Sequence, residues 1–547
     1  MDLIPYHKKS VLVIEDLAEM RASMKSMLGN MGVQSIESVN SGEEAMNKLR
    51  VNHYDIVLSD YELGRGKDGQ QILEECRAAN LIKAQTIFVL VTAAQTVEMV
   101  MGALEFEPDG YITKPVTLDI LRTRLNKIIR TKDVYAEINR AIDNKDVTGA
   151  LEACNRLAVE RPRFALASYR IKGKVLLDVG RLQEARDIFE TVLGIKRVAW
   201  AVLGMAKVLY RQGELEESRK LLEGLANSNA KFVEALDWLA KVLEAQGKYN
   251  AAQKVLETAV ANSAKSVQRQ QALARLAELN NDYPVMYRAC RKAVGLGKNS
   301  FFNNPQMYIA LAKSLQPKIV GGSLREQKLC ITEAFSLLEM ARTQFDLDGV
   351  SVLKASLVEA QTLFNSGKKT EGSLAYRAAQ VQVDANPDLS LDDKLDILIV
   401  RLSFDDEATL KAYGDELLAQ IKGDRRLENK YYSILENHLS EQPEERLALM
   451  KRRGEELMGR SNWEDAVDLY LRASELKNAD TDVRIGAIKA TIGLFASGHP
   501  DSARIATIDS LLSQLANLPE SDARFPVVQR LQREWVEVTA VELAAQS

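Results

Sequence analysis

Three segments of this chain can be laid one over another: GRLQEARDIFE (180–190), GELEESRKLLE (213–223) and GKYNAAQKVLE (247–257), whose leading glycines are 33 and 34 residues apart. Asn281, which opens NDYPVMYRACR, follows 34 residues later. A unit of that length holds a helix, a turn and a second helix, cannot bury its own apolar face, and must stack on its neighbours. The finer pattern agrees. Small residues stand seven positions before each turn (Gly173, Ala206, Ala240, Ala274), where they let paired helices approach closely. Phe189, Leu222, Leu256 and Cys290 share one position of the second helix. A further copy spans 454–476, with Gly454, Ala466, Tyr470 and Ala473 in the same register, and weaker copies lie around 141–157 and 360–379.

The repeat does not extend to the first 130 residues, and a chain of 547 residues exceeds what one core usually supports. From Ser10 onward, VLVIED (11–16), DIVLSD (55–60) and TIFVLVTA (86–93) are too short for helices and apolar enough to be strands buried on both faces. SIESVN (35–40) and GYIT (110–113) are weaker strands. Between them, Met20, Met24, Met27 and Leu28 form a helical stripe, and GEEAMNKLR, GQQILEECRAA and TVEMVMGALEF read as helices. The alternation predicts a five-stranded parallel α/β sheet of flavodoxin-like order 2-1-3-4-5, helices on both faces, followed by an all-α superhelical solenoid. The expected domains are 1–130 and 131–547, with the clearest repeats at 165–295 and 450–477 and capping helices at about 503–545. Irregular links are expected at 316–327 and 384–393. No flexible linker separates the two domains after the last helix of the first, about Leu118 to Arg130, so the two are expected to be docked or to share a nearly continuous helix.

The stretch SDYELGRGKDGQQ (59–71) poses a choice between a phosphate-cradling loop and a phosphate-accepting aspartate. A P-loop needs Gly-Lys followed by Ser or Thr, with a second glycine five residues earlier; here Asp68 follows Gly66-Lys67, and Tyr61 occupies the earlier position. The aspartate gains by that failure. In a parallel sheet, functional groups collect at the carboxyl ends of strands. Here those ends carry Glu15 and Asp16, Asp60, Thr92 and Lys114. Carboxylates so placed repel one another unless a hard divalent cation such as Mg2+ lies between them. Asp60 can then attack phosphorus as a nucleophile, with Lys114 and the Thr92 hydroxyl contacting phosphoryl oxygens.

With IED (14–16), SDYEL (59–63), VTA (91–93) and GYITKP (110–115) in place, residues 10–130 resemble the receiver domains of bacterial two-component response regulators. The repeats carry the tetratricopeptide (TPR) signature. The receiver resemblance implies that Glu15, Asp16, Asp60 and the backbone carbonyl of Glu62 hold Mg2+. It also implies that Asp60 takes phosphate from a histidine kinase or histidine phosphotransfer protein, that Lys114 stabilises it, that Thr92 and Tyr111 switch in response, and that Lys114–Pro115 is cis. The sequence departs from the family after Asp60: the loop has one more residue before Asp68-Gly69, lacks the usual proline, and places the Glu62 carboxylate where it bears on phosphoryl lifetime.

Taken together, these features predict a phosphorylation-controlled regulator that signals through protein or peptide binding by its TPR array, and not an enzyme. The junction suggests that phosphorylation reorients the face carrying Tyr111 and the last receiver helix. A phosphate sink, a constitutive scaffold and a transcription regulator acting through nucleic acid are the alternatives. A net charge of -4 argues against nucleic acid. His438 and His499, the histidines beyond residue 130, lie in no catalytic motif, and Cys76, Cys154, Cys290 and Cys330 have no metal-ligand spacing. The strongest apolar run, Ile87 to Ala94, is too short to span a bilayer, so the expected location is a reducing cytoplasm. Trp200, Trp238, Tyr249, Trp463, Tyr470 and Trp535 fall at packing registers and are expected in cores.

Overall fold

The computed structural model describes residues 4–64, 66–93, 108–229, 231–498 and 502–546. The segment TVEMVMGALEF and His499 lie outside the described residues. The chain forms two compact units, Met1–Asp388 and Leu389–Ser547. The boundary expected near residue 130 lies within the first.

The first unit begins with the sheet. Its strands are β1 (Ser10–Ile14), β2 (Ser35–Val39), β3 (Ile56–Asp60), β4 (Ile87–Thr92) and β5 (Gly110–Thr113). They pair in parallel in the order β2-β1-β3-β4-β5. The apolar runs follow from burial on both faces, because alternate side chains of one strand enter different cores. Val11 and Val13 pack with Met24 and Leu28 of α1 (Ala18–Asn30). Leu12 and Ile14 pack with Met46 and Leu49 of α2 (Gly42–Val51) and with Ile72 and Leu73 of α3 (Gly69–Ala78). Leu121, Leu125 and Ile129 of α4 (Leu118–Val134) complete the first layer. α4 runs four residues further than expected, and Tyr135 alone separates it from the next helix, Ala136–Asp143.

The helical repeats occupy the remainder of the first unit. The residues that marked the period, Gly180, Gly213, Gly247 and Asn281, have φ of 76°, 82°, 74° and 57°. Each ends a helix in the left-handed conformation, which glycine adopts freely and asparagine tolerates. Lys145 and Ser461 adopt it too, at φ 57° and 58°, and Gly367 at 84°, so the same turn recurs in the copies at 141–157, 454–476 and 360–379. The small residues have a direct reason. Phe189, on helix Leu182–Ile195, is wedged between Gly173 and Gly204 on the helices before and after it: a Cβ on Gly173 would stand 2.7 Å from the ring, and one on Gly204 would overlap it. Ala206, Ala240, Leu222, Leu256 and Cys290 are likewise buried. Trp200 meets Phe189 edge-on with centroids 6.4 Å apart, and Trp238 meets Tyr210 at 5.7 Å.

Of the two links expected to be irregular, residues 386–390 are irregular between helices Lys369–Ala385 and Leu391–Phe404, whereas 316–327 is largely helical. Gln316–Gly321 is a helix because Pro317 sits in its first turn, where a missing N–H costs nothing. Ser323 and Glu326 then form a capping box that starts Leu324–Gln344. Asp392 and Asp393 fall in the first turn of Leu391–Phe404, where negative charge suits the helix dipole.

Every secondary-structure element described in the second unit is a helix, and the unit repeats the wedge: Tyr470, 3% exposed, fills the space left by Gly454 and Gly486. Ser502–Leu515 and Phe525–Gln546 close it, and Trp535 Nε1 donates to Asp509 Oδ1 at 2.8 Å. Among the described residues, no helix is long and apolar enough to cross a membrane.

Candidate functional site at the carboxyl edge of the sheet

Each polar residue singled out at a strand end is held there by the local backbone. Glu15 follows β1 and is fully buried, whereas the neighbouring Asp16 is exposed. Arg21, one turn into α1, donates to the backbone carbonyl of Glu15 at 2.7 Å and to that of Asp16 at 3.3 Å. Asp60 ends β3 at 6% exposure. Its carbonyl accepts from Ser59 Oγ at 3.0 Å. Gly69 opens α3 so close to that carbonyl that a Cβ there would collide with it. Arg21 and Gly69 escaped sequence reasoning; the signal was a cation one helical turn beyond the acidic pair, and a glycine directly after the Asp68 cap.

The acidic side chains converge. Glu15, Asp16 and Asp60 each offer a carboxylate oxygen, and these atoms lie within 4.8 Å of one another. Lys114, just beyond β5, bridges two of them, with Nζ 2.8 Å from Asp60 Oδ2 and 3.0 Å from Glu15 Oε2. Burial pushes the Glu15 carboxyl up, partly opposed by the Lys114 hydrogen bond. Burial pulls Lys114 down, but its bonds to Asp60 and Glu15 outweigh that and hold it above an ordinary lysine. Three hard oxygen donors, one of them facing water and all offset by a single ammonium, suit a small hard cation that keeps some of its water, as Mg2+ does.

The remaining residues frame this cluster. Thr92 ends β4 at 6% exposure, and its carbonyl accepts from the Lys114 N–H at 2.8 Å. Lys114–Pro115 is cis. Glu62 is exposed, two residues beyond Asp60. Tyr111 pairs in register with Leu90 and packs at the edge of the α2–α3 core. Burial holds its hydroxyl far above the usual tyrosine range, and that hydroxyl has no hydrogen-bond partner among the described residues. The structure therefore gathers Glu15, Asp16, Asp60 and Lys114 into one contact set, with Thr92 beside it and Tyr111 set into the core.

Sheet order and site together define a flavodoxin-like α/β domain with an acidic, lysine-bridged pocket at its carboxyl edge. Residues 11–126 match the family model described as the response regulator receiver domain, and residues 176–242 match that of the tetratricopeptide repeat. Chemotaxis protein CheY-3 of Vibrio cholerae serotype O1 is 27% identical over 128 residues, which are 23% of this chain and 97% of that protein. The sensor histidine kinase RcsC of Escherichia coli is 35% identical over 128 residues, 23% of this chain but 12% of that protein. Among solved structures, the receiver domain of the Francisella response regulator 1452 is similar at 25% identity and a TM-score of 0.21, covering 23% of this chain and 98% of that one. This chain carries a CheY-like receiver domain on its N-terminal side and tetratricopeptide repeats beyond it.

Proposed function

We propose that this chain is a response regulator of a two-component phosphorelay, controlled by phosphorylation of Asp60 and acting through protein–protein contacts of its repeats. The observation that carries the reading is Lys114 bridging Asp60 and Glu15 at 2.8 and 3.0 Å beside three converging carboxylates. Glu15, Asp16, Asp60 and the backbone carbonyl of Glu62 would hold Mg2+. When bound, the ion supplies positive charge that offsets the incoming phosphoryl group.

The transfer itself falls to Asp60. One of its carboxylate oxygens forms a bond to the phosphorus of a phosphohistidine on a histidine kinase or phosphotransfer protein. The N–P bond breaks, and its electron pair stays on the imidazole nitrogen, which takes up a proton. Lys114 then faces the new phosphoryl oxygens, and the Thr92 hydroxyl is placed to donate to another. With Tyr111, Thr92 is assigned the switch.

The test is intact-mass measurement of the full chain after incubation with a small phosphoryl donor and Mg2+. The expected result is a gain of one phosphoryl group, abolished by chelation and by Asp60→Asn. An undiminished gain in Asp60→Asn would overturn the reading.

A further inference from the structure

The segment that leaves Asp60 is held at both ends. At one end it starts from the acidic cluster, and Gly64 lies so near Asp16 that a Cβ would stand 3.1 Å from Asp16 Oδ2. At the other it meets the helical repeats of the same compact unit, 232 residues away in sequence. Asn299, in the turn after helix Tyr283–Gly297, grips it twice. The Asn299 side-chain amide donates to Gly66 O at 2.8 Å, and its backbone carbonyl accepts from Lys67 Nζ at 2.6 Å. Gln71 Nε2 donates to Leu296 O at 3.3 Å, and Ser300 Oγ donates to Glu74 Oε1 at 2.8 Å. Ser300 and Glu74 are each 5% exposed. Lys265, from the link between two earlier repeat helices, lies 5.4 Å over the Tyr61 ring.

These contacts are chosen by shape and polarity. Buried polar groups are costly unless paired, and here the Ser300 hydroxyl pairs with Glu74 while the carbonyls of Gly66, Asn299 and Leu296 each accept from a side-chain N–H across the contact. We propose that the repeat turn Leu296–Ser300, with Lys265, is a receptor surface for the β3–α3 link of the receiver, and that phosphorylation of Asp60 loosens it. The inference rests on the function proposed above. A phosphoryl group on Asp60, together with the ion that the Glu62 carbonyl would help hold, crowds the head of a segment that is pinned at Gly66, four residues beyond Glu62. Gly66 O is held by Asn299, the Lys67 N–H by Glu43 Oε1 at 3.1 Å, and Lys67 Nζ by Glu75 at 2.9 Å. On this proposal the two sets of contacts compete for the same short segment. Linkage then requires the reciprocal effect: a receiver freed from the turn takes up the phosphoryl state more readily. This route runs through the β3–α3 link, away from Tyr111 and α4.

The experiment uses the full chain with Mg2+ and beryllofluoride as phosphoryl mimic, binding being followed by 19F NMR and backbone opening by amide hydrogen exchange. The mimic is expected to speed exchange across Leu296–Ser300 while the repeat helices between 199 and 262 stay unchanged. Asn299→Ala is expected to bind the mimic about fivefold or more tightly than wild type. Lys265→Ala, at an exposed side chain, should shift affinity in the same direction should Asn299→Ala fail to fold. Bound mimic with unchanged exchange and unchanged affinity in the variants overturns the inference and leaves the proposed function standing. Slower exchange, or weaker binding by the variants, overturns it equally. Failure of wild type to bind the mimic removes the proposed function, and this inference with it.

Discussion

Ser300 Oγ donates to Glu74 Oε1 at 2.8 Å, joining a repeat turn to a receiver helix in a setting nearly closed to water. Burial raises the Glu74 carboxyl from an ordinary 4.5 to about 7, with Ser300 and Lys67 opposing the rise and Asp68 and Glu75 adding to it. The folded state therefore binds the proton more tightly than the unfolded chain does. Its stabilising effect is fully present below about pH 4.5 and is lost as pH rises through about 7. Urea midpoints of the wild type should fall relative to Glu74→Gln between pH 5.5 and 8, because the amide stays neutral throughout. Parallel midpoints would show that Glu74 does not titrate in that window.

Lys114 contacts two carboxylates that would also hold the metal, so removing its charge should act in opposite senses on two ligands. Lys114→Gln is expected to raise affinity for Mg2+ alone, since a competing cation is gone. It should weaken beryllofluoride binding about tenfold or more, from the roughly 1.5–3 kcal/mol of a hydrogen bond to a charged group. Calorimetric titration of each ligand distinguishes this from general damage, which would weaken both.

Phe189 between Gly173 and Gly204 leaves no volume for another carbon. Gly204→Ala should therefore destabilise the first unit by about 1–3 kcal/mol through overpacking, despite the better helix propensity of alanine. Gly486→Ala should do the same around Tyr470 in the second unit. Denaturant unfolding followed by Trp fluorescence measures both.

Glu428 is buried against two guanidinium groups, at 2.7 Å from Arg453 and 2.8 Å from Arg460, and also accepts the Gly423 N–H at 2.8 Å. Arg453 and Glu428 side chains are each 4% exposed. Glu428→Ala leaves the buried Arg453 with one carboxylate partner, Glu456 at 3.0 Å, and should cost about 1.5–3 kcal/mol, measured by urea denaturation. Replacing Glu428 and Arg453 together by apolar residues should recover part of that loss.

What could be read in advance was whatever repeats or alternates locally. The strands announced themselves because Val11 to Ile14 and Phe88 to Leu90 are buried on both faces of a parallel sheet. The helical period was visible where the turn residue, the small residue and the second-helix position recur together, as at Gly180, Gly213 and Gly247, and dim around Lys145, where a lysine adopts the left-handed φ. The convergence of Glu15, Asp16, Asp60 and Lys114 followed from strand order, which carries every strand end to one edge. The grip of Asn299 on Gly66 had no such signal. It depends on how many small rotations accumulate along the stacked helices, and an asparagine in a turn looks the same whether or not a loop lies against it. The helix at Gln316–Gly321 was missed for a simpler reason: Pro317 reads as a breaker until its place in the first turn is known.

Tyr135, standing alone between α4 and Ala136–Asp143, has a mechanical consequence. Asn139 Nδ2 bonds Gln85 Oε1 at 2.9 Å, and the Ala84 N–H bonds Asp143 Oδ1 at 2.7 Å, so the near side of the receiver is fastened within one helix of that joint. A receiver released at Asn299 thus has no tether on which to drift. It would turn like a door about a fixed edge, and the surface uncovered at the repeats would close again at a rate set by rotation of the attached domain, independent of protein concentration.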